Sequence, residues 1–213
     1  MGGLRLNTYF RSGTAHRLRI ALALKGVAYE SVPVHLVCGG GGQLLPGFRA
    51  LNPQARVPVL QRADGTALVQ SSAILEYLQD IVPNPALLPP DPVLRARVRG
   101  VAEIIGSDIR PLNNVAVLST LRGAGLDDEA VSAWITQWVT HGLAAVEALI
   151  GDDGWCFGDA PTLADVYLAP QLFSALRFKV PLDAFPRIGR ASALAGSHPA
   201  FVAAAPENQP DAE

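Results

Sequence analysis

The sequence predicts an α/β unit followed by an all-helical unit, and three observations carry that prediction. Short runs that alternate apolar and polar residues sit between helical stretches over the first eighty or so positions. Nothing after Pro92 has a strand pattern. Between the two lies PNPALLPPDP, residues 83–92, which can be neither helix nor central strand because each proline fixes φ and lacks a donor. The expected division is residues 1–83, a linker at 84–92, and a helical domain at 93–213.

Taken in order, residues 4–10 read as a strand in which Leu4 and Leu6 alternate with polar neighbours. From Ala15 onward, Leu18, Ala21, Leu22 and Lys25 follow helical spacing until Gly26 stops the helix. Residues 29–36 form a second strand with Val32 and Val34, parallel to the first by a right-handed crossover. A flexible loop over 38–42 leads to a short helix at 44–51. A hairpin follows, 57–61 with 67–70, turning at Asp64-Gly65. Ser71 or Ser72 is expected to cap a helix holding Ile74, Leu75, Tyr77 and Leu78.

Past the linker, Val98, Val101, Ala102, Ile105 and Ile109 mark one face of a long helix that Pro111 must kink or stop. Val131, Trp134, Ile135, Trp138, Ala145, Val146 and Leu149 mark another, the tryptophans reading as core or interface aromatics. In TLADVYLAPQLFSAL, Thr162 precedes Asp165 by three, the spacing of a capping box, so Asp165 reads as a folding residue. Helical pieces near 188–194 and 199–205 lead to a polar tail expected to be mobile.

With 213 residues, 49% of them hydrophobic, the chain can bury a real core. A formal charge of −2 with scattered basic residues excludes nucleic acid as the main partner. No apolar stretch reaches spanning length and no signal-peptide layout is present, so a soluble, cytoplasmic protein without membrane partners is expected. Cys38 and Cys156 lie far apart and the four histidines are dispersed, which predicts a reducing compartment and no metal.

The segment RSGTAHRLRIALALKG, residues 11–26, is the chief functional candidate. It puts two hydroxyls and a basic cluster where a strand hands over to a helix. A helix's first turn leaves amide N–H groups unpaired and carries about half a positive charge, so Ser12, Gly13 and Thr14 would surround any anion docked there. A plain N-cap by Ser12 or Thr14 accounts for the same residues.

This segment, with FRALNPQARVPVL, QSSAILEYL, DIRPLNN and GDAPTLADVYLAPQL, resembles the zeta class of cytosolic glutathione transferases over nearly the whole chain. The resemblance implies a thioredoxin-like N-terminal domain with a mixed four-stranded sheet, an all-helical C-terminal domain, glutathione as cofactor and a homodimer. It implies that Ser12, with Thr14 nearby, faces the glutathione sulfur. Thr14 stands where many relatives have Cys. Val57-Pro58 matches the family's cis-proline corner, whose backbone pairs with the cysteinyl part of glutathione. Gln70 and Ser71 match the pair that holds the γ-glutamyl end, although capping alone would also explain Ser71. Gln43 matches a glutathione contact beyond the glycine run, and Arg110 and Asn114 fall at cofactor-side positions.

The resemblance further implies a small dicarboxylate substrate with a cis double bond conjugated to a carbonyl, maleylpyruvate or maleylacetoacetate. Reversible thiolate addition would convert it to the trans fumaryl isomer in aromatic-compound or tyrosine breakdown. Such a substrate calls for fixed cationic forks, and all basic residues but Lys25 and Lys179 are arginine. Arg11 and Arg177 match positions lining the acidic-substrate pocket; read without the family, Arg177 is a surface residue at a helix end. Val115 and Ala116 stand where a maleylpyruvate-type relative can carry arginine, a charge Arg110 could replace. The alternatives are a zeta-type transferase that conjugates or dehalogenates small α-halo acids and, more distantly, a module that only binds a protein partner. His16 has no obvious acid partner and is not read as a general base.

Overall fold

Alternation in the first strand decides how the sheet is covered. Leu6 of β1 (Arg5–Thr8) pairs across the ladder with Leu60 of β3 (Val59–Gln61), and both are fully buried. Their neighbours Asn7 and Val59 also pair, and therefore point to the opposite face. On that second face Tyr9, Phe10, Val34, Phe48, Val57 and Val59 form one apolar cluster, to which α2 (Pro46–Leu51) contributes Phe48 and Leu51. The Leu6 side is where α1 (Gly13–Leu24) and α3 (Ser71–Ile81) pack together, burying Leu18, Leu22, Ile74 and Leu78. Strand order is β2-β1-β3-β4, with β2 (Glu30–Pro33) parallel to β1 and both β3 and β4 (Ala67–Val69) in antiparallel pairs. This is the mixed four-stranded sheet expected from the sequence.

The computed structural model describes residues 3–213. It divides the chain into one unit reaching to Ala86 together with His198–Glu213, and a second unit, Leu87–Ser197. Two expectations are corrected here. The helical domain does not run to 213, and the tail is held in place within the first unit. The reason is Arg19, whose buried guanidinium needs acceptors. Its Nε donates to Ala204 O at 3.0 Å, just behind which α9 (Pro199–Ala204) ends, and its other nitrogens donate to Thr8 Oγ1, Tyr9 O and Phe10 O. Farther along the tail, Asp211 Oδ2 accepts from Phe10 N at 3.0 Å. Lys25 closes α1 in a similar way, donating to Gln79 Oε1 and to the carbonyls of Val82 and Pro85. The loop expected at 38–42 is shaped as two 3₁₀ turns, Cys38–Gly40 and Gly42–Leu44.

The linker is shorter than its prolines suggest. Asp91 caps α4 (Pro92–Glu103) by accepting from Leu94 N at 2.7 Å, and Pro92 takes the first helical position, where a missing N–H loses nothing. The expected single long helix changes pitch at Ile104–Ile109 into a π-helical turn, closed by Arg110 N donating to Ile105 O at 3.0 Å. Pro111 then ends it, and a 3₁₀ turn, Pro111–Asn113, leads to α5 (Val115–Gly123). The remaining helices of this unit are α6 (Asp128–Leu149), α7 (Leu163–Arg177) and α8 (Pro186–Ser197).

Gly142 of α6 lies directly against the side chain of Ile109, so a Cβ there would overlap it. Gly142→Ala is expected to cost about 1–3 kcal/mol by overpacking the π turn, read as a lower denaturation midpoint in urea at unchanged m value. At the start of α7, Asp165 Oδ2 accepts from Thr162 N at 2.8 Å and Thr162 Oγ1 at 2.9 Å, and Oδ1 accepts from Cys156 N at 2.9 Å. The capping box expected from the Thr162/Asp165 spacing is present, and Asp165 is buried at 2% exposure.

Candidate active site

Ser12 N donates to Tyr9 O at 2.9 Å, which turns the chain out of β1, and Ser12 then sits extended (φ −73°, ψ 112°) as the N-cap of α1. Its Oγ accepts from Ala15 N at 3.3 Å and lies 3.0 Å from Thr14 Oγ1. The Thr14 hydroxyl donates in turn to Val57 O at 3.2 Å. A hydroxyl has one proton, so with Thr14's given to Val57, Ser12 is the donor between the two. The result is a directed chain from Ser12 through Thr14 to the carbonyl of Val57. Its oxygens are held by backbone while each hydrogen stays free to rotate. No acidic side chain occupies the first turn of α1. The Val57-Pro58 peptide is cis, as the resemblance implied.

The helix behind this cap buries His16 and Arg19. Burial, with the Arg19 charge adding to it, pushes the His16 pKa down to about 3. An unfolded chain binds a proton there below about pH 6.5 and the native one does not, so stability falls as the pH drops from 6.5 toward 3. Going from pH 6.5 to 5 should remove roughly 2 kcal/mol. A His16→Gln variant should flatten that dependence, as thermal unfolding against pH will show.

At the second helix start the structure corrects the expected cap. Neither Ser71 nor Ser72 caps α3: Gln70 is the N-cap, in the left-handed region at φ 69°, and makes no side-chain cap bond. Ser71 is the first helical residue, buried, and again the first turn carries no acid. A non-glycine residue at that φ costs of order 1–3 kcal/mol and is found where its side chain or amide must face a particular way. Gln70 Nε2 donates to Gln54 Oε1 at 2.7 Å. Gln43 reaches back from its 3₁₀ turn to Leu36 O at 3.1 Å, leaving its Oε1 sealed from water without a donor.

Arg11 lies over the Phe10 ring, 4.7 Å from its centroid, and pairs with Glu213 at 3.1 Å. Glu213 also meets His35 Nε2 at 2.8 Å, so it sits on the cation that the resemblance assigns to substrate. Nothing in the sequence pointed to that contact. Cys38 is close to this pair, and His35, Cys38 and Glu213 form a cluster compact enough for a metal ion. His35 Nδ1 accepts from both Val37 N and Cys38 N, so its proton sits on Nε2 and points at Glu213. A metal at Nε2 would have to displace that proton, which argues against coordination. Cys156 is buried, and burial together with Asp165 raises its thiol pKa far above the usual range, which makes it inert.

In the second unit Arg177 ends α7, exposed, with its guanidinium 4.5 Å from the Phe178 ring centroid. Arg110 follows the π turn and is partly buried, its Nη1 donating to Asn113 Oδ1 at 2.8 Å and to Asn113 O at 3.3 Å. Burial draws its pKa down to about 10, and the charge of Arg177 adds to that shift. Asn114 spends its side-chain oxygen on capping α5, accepting from Ala116 N at 3.0 Å. Its neighbour Asn113 is the buried one, at 3% exposure, and was not singled out by sequence.

Glutathione S-transferase N-terminal and C-terminal domain families match residues 11–81 and 128–196. A maleylacetoacetate isomerase of Pseudomonas aeruginosa is 59% identical over 208 residues, 98% of each chain. With a sheet whose edges, caps and hydroxyl chain are laid out as above, the chain belongs to the glutathione S-transferase family. Among solved structures, it is similar to the holo form of a maleyl pyruvate isomerase described as a bacterial zeta-class enzyme. That match has TM-score 0.92 and 48% identity, covering 99% of this chain and 100% of the other. It is also similar to a maleylacetoacetate isomerase of Anaeromyxobacter dehalogenans with dicarboxyethyl glutathione and citrate in its active site. There the TM-score is 0.89 and the identity 42%, over 99% and 94% of the two chains.

Proposed function

We propose that the chain is a glutathione-dependent cis–trans isomerase acting on maleylpyruvate or maleylacetoacetate. The observation that carries this reading is the buried Ser12 hydroxyl, held at the acid-free first turn of α1 with a proton it can redirect. The residues fit glutathione. Two helix starts without acids suit its charged groups, the sealed Gln43 Oε1 suits an amide donor, and Val57 O beside Thr14 suits an added extended peptide.

When bound, glutathione would supply a thiolate nucleophile for reversible addition to the conjugated double bond. The protein's part is to keep the sulfur ionised and the substrate in place. A free thiol near pKa 8.5 is only about 3% ionised at pH 7, so lowering its pKa raises the nucleophile severalfold or more. Ser12 does this by turning its proton from Thr14 Oγ1 to the sulfur. That exchanges a neutral hydrogen bond for a charge-assisted one roughly twice as strong. Gly13 and Thr14 add first-turn amides. Gln70 and Ser71 take the γ-glutamyl end, with Gln43 and Val57 along the peptide and Arg110 and Asn114 as further cofactor-side candidates. Arg177 in the second unit and, once Glu213 has yielded it, Arg11 in the first would each offer a cation to a substrate carboxylate. No proton is consumed overall.

We further propose, from the same family resemblance, that the enzyme is a cytoplasmic homodimer. No helix among the described residues is long and apolar enough to cross a membrane. The test is conversion of purified maleylpyruvate and maleylacetoacetate with and without added glutathione. Conversion is expected only with it, and the ratio of kcat/KM values names the preferred substrate. Equal rates without glutathione would end the reading.

A further inference from the structure

Tyr9, Phe10 and Arg11 join the end of β1 to the Ser12 cap and belong to neither a strand nor a helix. Tyr9 and Phe10 are buried, so their backbone polar groups need partners from elsewhere in the unit. Phe10 is gripped on both sides of its backbone. Its N–H donates to Asp211 Oδ2 at 3.0 Å, across 201 residues of chain, and its carbonyl accepts from Arg19 Nη2 at 3.0 Å. Tyr9 O accepts from Arg19 Nη1 at 3.4 Å and from Ser12 N at 2.9 Å. Ser12 thus hangs from a carbonyl that Arg19 holds, and the amide that Asp211 holds belongs to the next residue.

Both charged groups are costly where they stand. Arg19 is 1% exposed, and its acceptors are three carbonyls and one hydroxyl, so any compensating charge must act through space. Burial draws its pKa down to about 10, and Tyr29 and Asp211 oppose that shift. Asp211 in turn has its Oδ1 sealed from water without a donor, which costs desolvation. Anchoring the tail does not demand this expense. Asn208 and Gln209 already tie it to the end of α9, donating to the carbonyls of Val202, Ala203 and Ala205.

We infer that Asp211 is a positioning residue for the proposed reaction: with Arg19 it fixes the Phe10 peptide and, through it, the place of the Ser12 hydroxyl. The inference rests on the reading of Ser12 as the group that turns its proton to the glutathione sulfur. Asp211 itself touches no reacting atom. Without it the buried Phe10 amide lacks an acceptor, and the turn must shift toward water, carrying Ser12 with it. Misplacement by about 1 Å can cost as much as roughly 100-fold in rate, and a partial shift of one hydrogen bond about three- to tenfold.

The test compares full-length Asp211→Ala, Asp211→Asn, Ser12→Ala and the combination of Ser12→Ala with Asp211→Ala. The thiol of bound glutathione is titrated by thiolate absorbance, and kcat and KM are measured beside it. Asp211→Ala is expected to raise the bound thiol pKa by about 0.5–1 unit and to lower kcat about three- to tenfold, with substrate KM within about twofold. Asp211→Asn keeps an oxygen for Phe10 N and should recover most of both losses. Added to Ser12→Ala, the alanine at 211 should cost less than about twofold more, because a residue acting through Ser12 then has nothing left to position. A tail anchor with no part in positioning would lower the urea midpoint and leave the thiol titration unchanged. That result for Asp211→Ala, losses that simply multiply in the combined variant, or an asparagine variant as impaired as the alanine one would each overturn the assignment. The titration needs no turnover, so the two readings fail separately. A normal titration in Ser12→Ala brings down the role of Ser12 and this inference with it, whereas a shifted Ser12→Ala beside an unshifted Asp211→Ala ends this inference alone.

Discussion

Ser12→Ala raises the pKa of bound glutathione by about 1 to 2 units and lowers kcat/KM about 10- to 100-fold, with little change in glutathione affinity. The size follows from one charge-assisted hydrogen bond to a thiolate, worth about 1.5–3 kcal/mol. Thr14 cannot simply take over. Turning its single proton to the sulfur would give up the bond to Val57 O, 3.2 Å away, and the helix-start amides that remain supply only the partial charge they supplied before. Titration of thiolate absorbance in the binary complex, run beside steady-state rates, checks both numbers. Losing the N-cap should cost about 1 kcal/mol of stability, too little to account for the kinetic loss.

The second large effect is on folding. Asp165→Ala removes three hydrogen bonds from a buried carboxylate and leaves the amides of Thr162 and Cys156 without acceptors. The expected loss is about 3–5 kcal/mol, which for a chain of this length lowers the thermal midpoint by about 10 °C. Asp165→Asn keeps the shape and part of the accepting capacity and should recover about half. Calorimetry on the three proteins measures the series. Any residual folded Asp165→Ala protein at low temperature should isomerise at a near normal rate per folded molecule, because the residue braces α7 and touches no reacting group.

Legibility followed sequence separation. The Ser12 cap and the Thr162–Asp165 box are contacts over two or three residues, so the residue types and their spacing announce them. The strand alternation at Leu6 likewise shows which residues face inward. What escaped was long-range or depended on backbone geometry. Arg19 binds Ala204 across 185 residues, so the return of the tail to the first unit left no local mark. Gln70 looks like an ordinary strand end, yet its left-handed φ makes it the α3 cap and frees Ser71. Pro92 suggested more linker because proline breaks helices, although it is well suited to a first helical position.

The helical unit shows the same limit at two adjacent residues. Asn113 and Asn114 are chemically identical, and α-helical periodicity offered no way to choose between them. The π turn at Ile104–Ile109 closes its hydrogen bonds one residue later than an α-helix and so shifts the phase of everything after it. Across the 3₁₀ turn Pro111–Asn113, Asn113 is bonded to Arg110 three residues back, while Asn114 caps α5. An Arg110 placed by analogy near the cofactor thereby acquires a local partner that only the structure displays.

The reaction regenerates its thiol, and that is the property to measure first. Purified enzyme should be given cis substrate in large excess over glutathione, and free thiol titrated before and after complete conversion. The account predicts many turnovers for each glutathione, the trans product, and an unchanged thiol titre. Conversion that stops after one equivalent, with the titre falling in step, would contradict it and identify a conjugating enzyme.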